Sequence, residues 1–204
     1  MKTHPHWQPC ARVKKKLAIA FVLLSSLGQW PSAYAQEEPS STHRYALTAA
    51  YFGETITHPG ATVGLEKYLL RSRRYKLFVG ANLGGYVHHR NHKALFANLQ
   101  LGQRITFRSG WFLDQSVGVG YLRTFLDGEV YAVDSDGSVE QVANTGRPHF
   151  MPSVSVGVGY DFTKKGLANL QLFLRPQVFW QMPFNNYSLL HIGLQAGLIV
   201  PFGK

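Results

Sequence analysis

The residues best suited to chemistry lie in polar segments between oily ones. His88, His89 and His92 share one such segment, and His58 stands in the segment before it. Neutral imidazoles at this spacing are ligands that Zn²⁺ and Cu²⁺ favour, but Arg90, Asn91 and Lys93 give the segment the make-up of an exposed polar loop. The loop reading is adopted, with no metal and no cofactor. Asp134-Ser135-Asp136-Gly137 begins as a calcium loop begins, yet the later oxygen ligands and the bidentate Glu are missing, so it is read as a β-turn. His149 and Ser153 offer a base and a hydroxyl nucleophile. Four positions along an extended strand put them about 13 Å apart, beyond a direct hydrogen bond. No catalytic residue is assigned.

Two further sets of residues are candidates. Glu66, Arg104, Asp114, Asp161 and Arg175 fall on the small, polar side of runs whose other side is apolar. Single charges facing a narrow interior cost too much to stand alone, so these five are expected to pair with one another. Glu129, Tyr131, Asp134, Asp136 and Glu140 lie in residues 128–143, which contain no Lys or Arg. Glu129 to Val133 and Ser138 to Val142 flank the turn at 134–137 and predict a hairpin, whose free edges could pair with another chain.

The elements that must position these residues are written most plainly in Pro148 to Phe162. Phe150, Val154, Val156, Val158, Tyr160 and Phe162 share one face, while His149, Ser153, Ser155, Gly157, Gly159 and Asp161 share the other. Such a strand has one side for an oily environment and one for a small polar space. Comparable alternation recurs from Arg44, from Ala61, from Leu77, from Leu95, from Trp111, from Leu170 and from Leu190, which predicts eight strands. Connections two, four and six are short and basic, and the odd-numbered ones are generally longer and contain His, Asn, Asp and Pro. Barrels of the outer membrane alternate short periplasmic turns with longer outer loops in the same way. Open sheet edges cannot stand in lipid, so the sheet must close. The expected fold is all-β, an eight-stranded antiparallel up-and-down transmembrane β-barrel with a protruding β-hairpin in its third extracellular loop. Tyr45, Tyr51, Trp111, Tyr121, Tyr160 and Trp180 are placed for interfacial girdles.

Composition agrees with this reading. The chain of 204 residues is 45% apolar and only 16% charged, too oily for disorder and too weakly charged for a water-soluble sheet with a Lys- and Glu-covered face. Lys14-Lys15-Lys16, the apolar run Leu17 to Leu24 and the small-x-small sequence Ser32-Ala33-Tyr34-Ala35 predict a signal peptide over 1–35, with a long lead and cutting after Ala35. A polar linker, 36–43, then precedes the barrel, 44–204. The single cysteine, Cys10, lies in the removed segment, which excludes disulfides and thiol chemistry from the mature chain. The formal charge of +10 owes much to five basic residues before position 17, and beyond residue 35 it falls to +5, an ordinary surface. Nucleic acid is therefore not an expected partner.

In strand number, loop alternation and a terminal strand closing on Phe202, residues 44–202 resemble the small eight-stranded outer-membrane barrels, OmpX-like and similar to the OmpA membrane domain. Phe125 to Tyr131 and Gly146 to Asp161 are similar to outer-membrane barrel proteins of Bacteroidetes-type genomes. Gly203 and Lys204 follow the aromatic residue that usually ends such chains, a departure from the pattern. The resemblance implies a fold and carries no catalytic motif. It also implies outer-membrane lipid and lipopolysaccharide as surroundings, and a monomer. The resulting expectation is a non-enzymatic outer-membrane protein with a structural or surface-binding role through the 128–143 hairpin, for which an extracellular protein is the partner. Two alternatives stand beside it. A looser likeness in length and layout to the TraO proteins of conjugative transposons implies a component of an envelope or transfer assembly. A lipid-modifying enzyme is the other, although no His-x-Ser-Asn segment of the deacylase kind occurs.

Overall fold

The structure is a computed structural model that describes residues 43–203 apart from 90, 135–136 and 185–186. The expected signal peptide, 1–35, and all of the linker except His43 lie outside these residues. The described chain forms strands β1 (Tyr45–Glu54), β2 (His58–Arg71), β3 (Tyr75–His88), β4 (His92–Thr106), β5 (Trp111–Leu126), β6 (Val130–Val133), β7 (Val139–Val142), β8 (Arg147–Phe150), β9 (Ser153–Asp161), β10 (Gln171–Phe184) and β11 (Tyr187–Phe202). Neighbours in sequence pair antiparallel around a ring in which β8 and β9 together form one interrupted strand, giving eight staves. The ring closes where β1 pairs with β11 from Tyr45↔Phe202 to Glu54↔Gly193. β6 and β7 form a separate two-stranded sheet.

The alternation decides which side faces the bore. Glu66, Arg104, Ser153, Ser155 and Asp161 are buried, while Leu83, Leu95 and Leu99 point outward and are 62%, 60% and 58% exposed. An outer wall so rich in bare Leu and Val suits hydrocarbon and not water. Aromatic residues border it: Trp111 packs edge-on against Tyr160 at 5.5 Å, and Tyr45 stacks on Phe202 at 5.8 Å, both near the end that carries the short turns.

Three details of the strands differ from the sequence reading. Most strands run further than the alternation suggested, because their ladders continue past the oily band into the loops. The stave read as continuous over 148–162 breaks at Met151 and Pro152, since proline has no N–H for a ladder. The turn after it contains a 3-10 segment, Phe162–Lys165, with Asp161 at its N-cap and Gly166 left-handed at its end. Close approach also fixes one glycine in the closing seam. A Cβ on Gly197 would lie 2.3 Å from the Ala49 carbonyl oxygen and 2.5 Å from the Ala50 Cβ, so a side chain there would force β11 off β1.

The bore is filled. Toward the short turns lie Ala46, Tyr68, Phe78, Phe112, Phe173 and Ile199, and toward the long loops lie Phe52, Tyr86, Phe96, Leu122, Met151 and Phe179. The second cluster is ring against ring, with Phe52 centred 5.2 Å from Phe96 and 6.1 Å from Phe179. Eight staves enclose a space that side chains can pack completely.

Candidate functional sites in the bore, the third loop and the outer mouth

The inward strand positions of β2, β4, β5 and β10 bring Glu66, Arg104, Asp114 and Arg175 to one level of the bore. Arg104 Nη2 lies 3.1 Å from Glu66 Oε1 and 3.2 Å from Asp114 Oδ2. Arg175 Nη2 donates to Asp114 Oδ2 at 2.7 Å and stands 3.7 Å from Glu66 Oε1. Two cations and two anions thus share one buried layer, and Arg104 is completely buried between the faces of Phe78 and Phe112, at 5.1 and 4.9 Å. Asp161 is placed differently. Its Oδ2 accepts from Gln171 Nε2 at 2.9 Å and its Oδ1 accepts from the Thr163 N–H at 3.0 Å, while Gln171 Oε1 accepts in turn from Arg104 at 3.3 Å. It joins the ionic layer through an amide, because the chain must turn at Asp161 and the carboxylate is needed as a cap.

The third loop stands on a fixed base. The Asp127 N–H donates to the Asn91 carbonyl at 2.9 Å, Arg123 Nε to the Thr145 carbonyl at 2.8 Å, and Asn144 Nδ2 to the Leu126 carbonyl at 2.7 Å. Above these ties, β6 and β7 pair from Val130↔Val142 to Val133↔Val139. The turn closes with the Gly137 N–H donating to the Asp134 carbonyl at 3.0 Å, and Gly137 takes a φ of +85° that favours glycine. Glu129, Tyr131, Asp134 and Glu140 are exposed on this ribbon, while Asp136 lies outside the described residues. The Tyr131 hydroxyl donates to the Glu129 carboxylate, which holds the phenol above its ordinary pKa. One face carries Tyr131, Val133 and Val139, the two valines being 71% and 63% exposed.

At the outer mouth the structure assembles residues that the spacing of the histidines did not reveal. His191 Nδ1 lies 2.9 Å from Glu54 Oε1, and His191 Nε2 lies 3.1 Å from Gln181 Oε1. Gln181 Nε2 then donates to His149 Nε2 at 2.9 Å, and His149 Nδ1 donates to the Pro183 carbonyl at 2.8 Å. Glu54 also holds His58, whose ring stands 3.8 Å from that of His88, with His92 a further 5.3 Å away. His89 is exposed and takes no part in these ring contacts. The only advance signal for this network was alternation, which puts Glu54, Gln181 and His191 on inward positions near strand ends. Among the described residues no group of three or more His, Cys, Asp or Glu is arranged to hold a metal ion. His149 bonds to Gln181 and Pro183 and lies 3.1 Å from Thr124 Oγ1; Ser153 is not among its partners.

A closed ring of eight antiparallel staves, apolar outside and polar within, defines the small outer-membrane β-barrels, and this chain has the fold of that OmpX- and OmpA-like class. Among solved structures it is similar to Neisserial surface protein A (NspA), with 14% identity over 79% of this chain and 98% of that one and a TM-score of 0.50. It also matches Ail, the attachment invasion locus protein of Yersinia pestis, at 8% identity, 79% and 100% coverage and a TM-score of 0.49. The outer membrane enzyme PagL matches at 12% identity, 77% and 99% coverage and a TM-score of 0.44. No family model and no curated protein sequence matches the chain.

Proposed function

We propose that this protein is a non-enzymatic resident of an outer membrane that binds an extended segment of another protein through its third-loop ribbon. The observation that carries the reading is that, among the described residues, β6 and β7 pair only with each other, which leaves both outer edges of the ribbon without a strand partner beyond the barrel. Such edges accept an added strand through main-chain hydrogen bonds. Tyr131, Val133 and Val139 supply apolar contact, and Glu129, Asp134 and Glu140 favour a partner carrying Lys or Arg. The ties at Asn91, Leu126 and Thr145 anchor the base of the ribbon, which reduces the ordering cost of binding.

Cells displaying the full chain, and cells displaying a chain with residues 129–142 replaced by a Gly-Ser linker, provide the test. Both barrels are expected to show the same heat-modifiable gel mobility, and only the full chain to mediate adherence to protein-coated surfaces. Equal adherence by the two would remove the ribbon from the function. The non-enzymatic part is tested separately: lipid A extracted from cells with and without the gene should be chemically identical.

A further inference from the structure

A second site lies in the barrel wall, apart from the ribbon. β3 and β4 pair without a break from Tyr75↔Ile105 to His88↔His92. β10 meets β9 and β8 much less completely: the pairs stop at Leu174↔Val158, resume at Gln177↔Ser155 and end with Met182↔Phe150 alone. Four of the ten prolines line this one boundary, Pro148 and Pro152 on one side and Pro176 and Pro183 on the other. None of them can donate to a ladder.

Beyond Met182↔Phe150 the two staves remain paired with their outer neighbours, but among the described residues no backbone pair joins them to each other. β8 stays paired with β5 as far as Thr124↔Arg147, and β10 stays paired with β11 at Phe184↔Tyr187. Across the gap the His149 side chain donates to the Pro183 carbonyl. A cavity of about 490 Å³ opens here, within the range of small-molecule sites. Leu126, Phe184 and Leu189 line it with apolar side chains that are themselves 46%, 39% and 37% exposed. Arg147, His92 and Gln181 line it with polar groups, and among the described residues no Asp or Glu does. His92 Nε2 is buried and has no hydrogen-bond partner among the described residues. A larger apolar depression, about 760 Å³ and lined by Leu47, Val63, Leu83 and Leu99, lies on the lipid-facing wall and offers almost no polar contact.

We infer that the seam between β8 and β10 admits from the membrane an amphiphile with an acidic head and an acyl chain, the head held by Arg147 and His92 in the mouth cavity and the chain leaving past Phe184 and Leu189. The missing ladder gives the opening, since no backbone pair has to be broken for a chain to pass. The Arg147 guanidinium and the His92 ring favour an anionic head, since the nearby Glu54 carboxylate is already engaged by His191 at 2.9 Å and by His58.

The test uses the full barrel in phosphatidylcholine vesicles with three photoreactive probes that carry the same diazirine chain: palmitic acid, palmityl alcohol and an acyl phosphatidylglycerol. Cross-linked peptides are mapped by mass spectrometry. Labelling by the acidic probes is expected to concentrate on the peptides holding Leu126, Phe184 and Leu189, and to fall about ten-fold in Arg147→Gln, as for loss of one charge-assisted bond. Arg147→Lys should restore part of it. Because Arg147 is exposed, both variants are expected to keep heat-modifiable mobility. If palmitic acid alone labels the seam, the ligand is a free fatty acid; if phosphatidylglycerol labels it as well or instead, a membrane lipid docks there. The inference is overturned if label spreads evenly to the opposite wall at Leu83 and Leu95, if the alcohol labels the seam as strongly as the acids, or if Arg147→Gln leaves labelling unchanged.

Discussion

Removing one carboxylate from the ionic layer tests whether that layer supports the barrel. Asp114 accepts from Arg104 Nη2 at 3.2 Å and from Arg175 at 3.3 and 2.7 Å through Nε and Nη2. In Asp114→Ala those three donors lose their acceptor, and two guanidinium groups share Glu66 alone in a buried layer. Breaking a buried pair by removing one partner costs about 3–5 kcal/mol, a shift in the folding equilibrium of roughly a hundred- to a few-thousand-fold. Urea titration of barrels folded in detergent, followed by tryptophan fluorescence and by heat-modifiable mobility, should give a lower midpoint with an unchanged slope. Asp114→Leu combined with Arg175→Met restores neutrality and leaves Arg104 with Glu66 at 3.1 Å. That double variant should recover most of the loss, because an ion pair exchanged for apolar groups of similar volume is often near neutral. A single variant within about 1 kcal/mol of the parent, or a double variant no better than the sum of its singles, would falsify the view of a mutually neutralising layer.

Two other changes probe the ends of the same structure. Gln181→Leu removes the buried hydrogen-bond partner that His191 and His149 share and should destabilise the barrel by about 1–3 kcal/mol, read as a lower urea midpoint. Gly197→Val places a side chain where a Cβ already falls 2.3 Å from the Ala49 carbonyl oxygen. It should abolish the heat-modifiable species, whereas Leu198→Val on the lipid face should leave it intact; a normally migrating Gly197→Val barrel would show that β1 and β11 can close at a wider spacing.

The faces of the strands were legible because alternation is a local property with a period of two. Once Val154, Val156 and Val158 share a side, Ser153, Ser155 and Gly157 must share the other in any extended chain. The hairpin was legible for a similar reason, since Asp134 to Gly137 lies between two short runs able to pair across it. The break at Met151 and Pro152 was visible only as a proline, and its effect depended on which stave faced it.

From the sequence alone follow the all-β class, the number of staves, the polar interior and the closure that lipid demands. It also places Glu66, Arg104, Asp114 and Arg175 on the inner face. Only the tertiary structure decides which inner residues meet. Glu54 and His191 are 137 positions apart, and they touch because β1 and β11 close the ring in one register. The offset between staves around the ring sets the level at which each inward side chain enters the bore, and no local pattern encodes that offset. The same register turned Asp161 away from the arginines to cap a turn, and it set four prolines along a single seam.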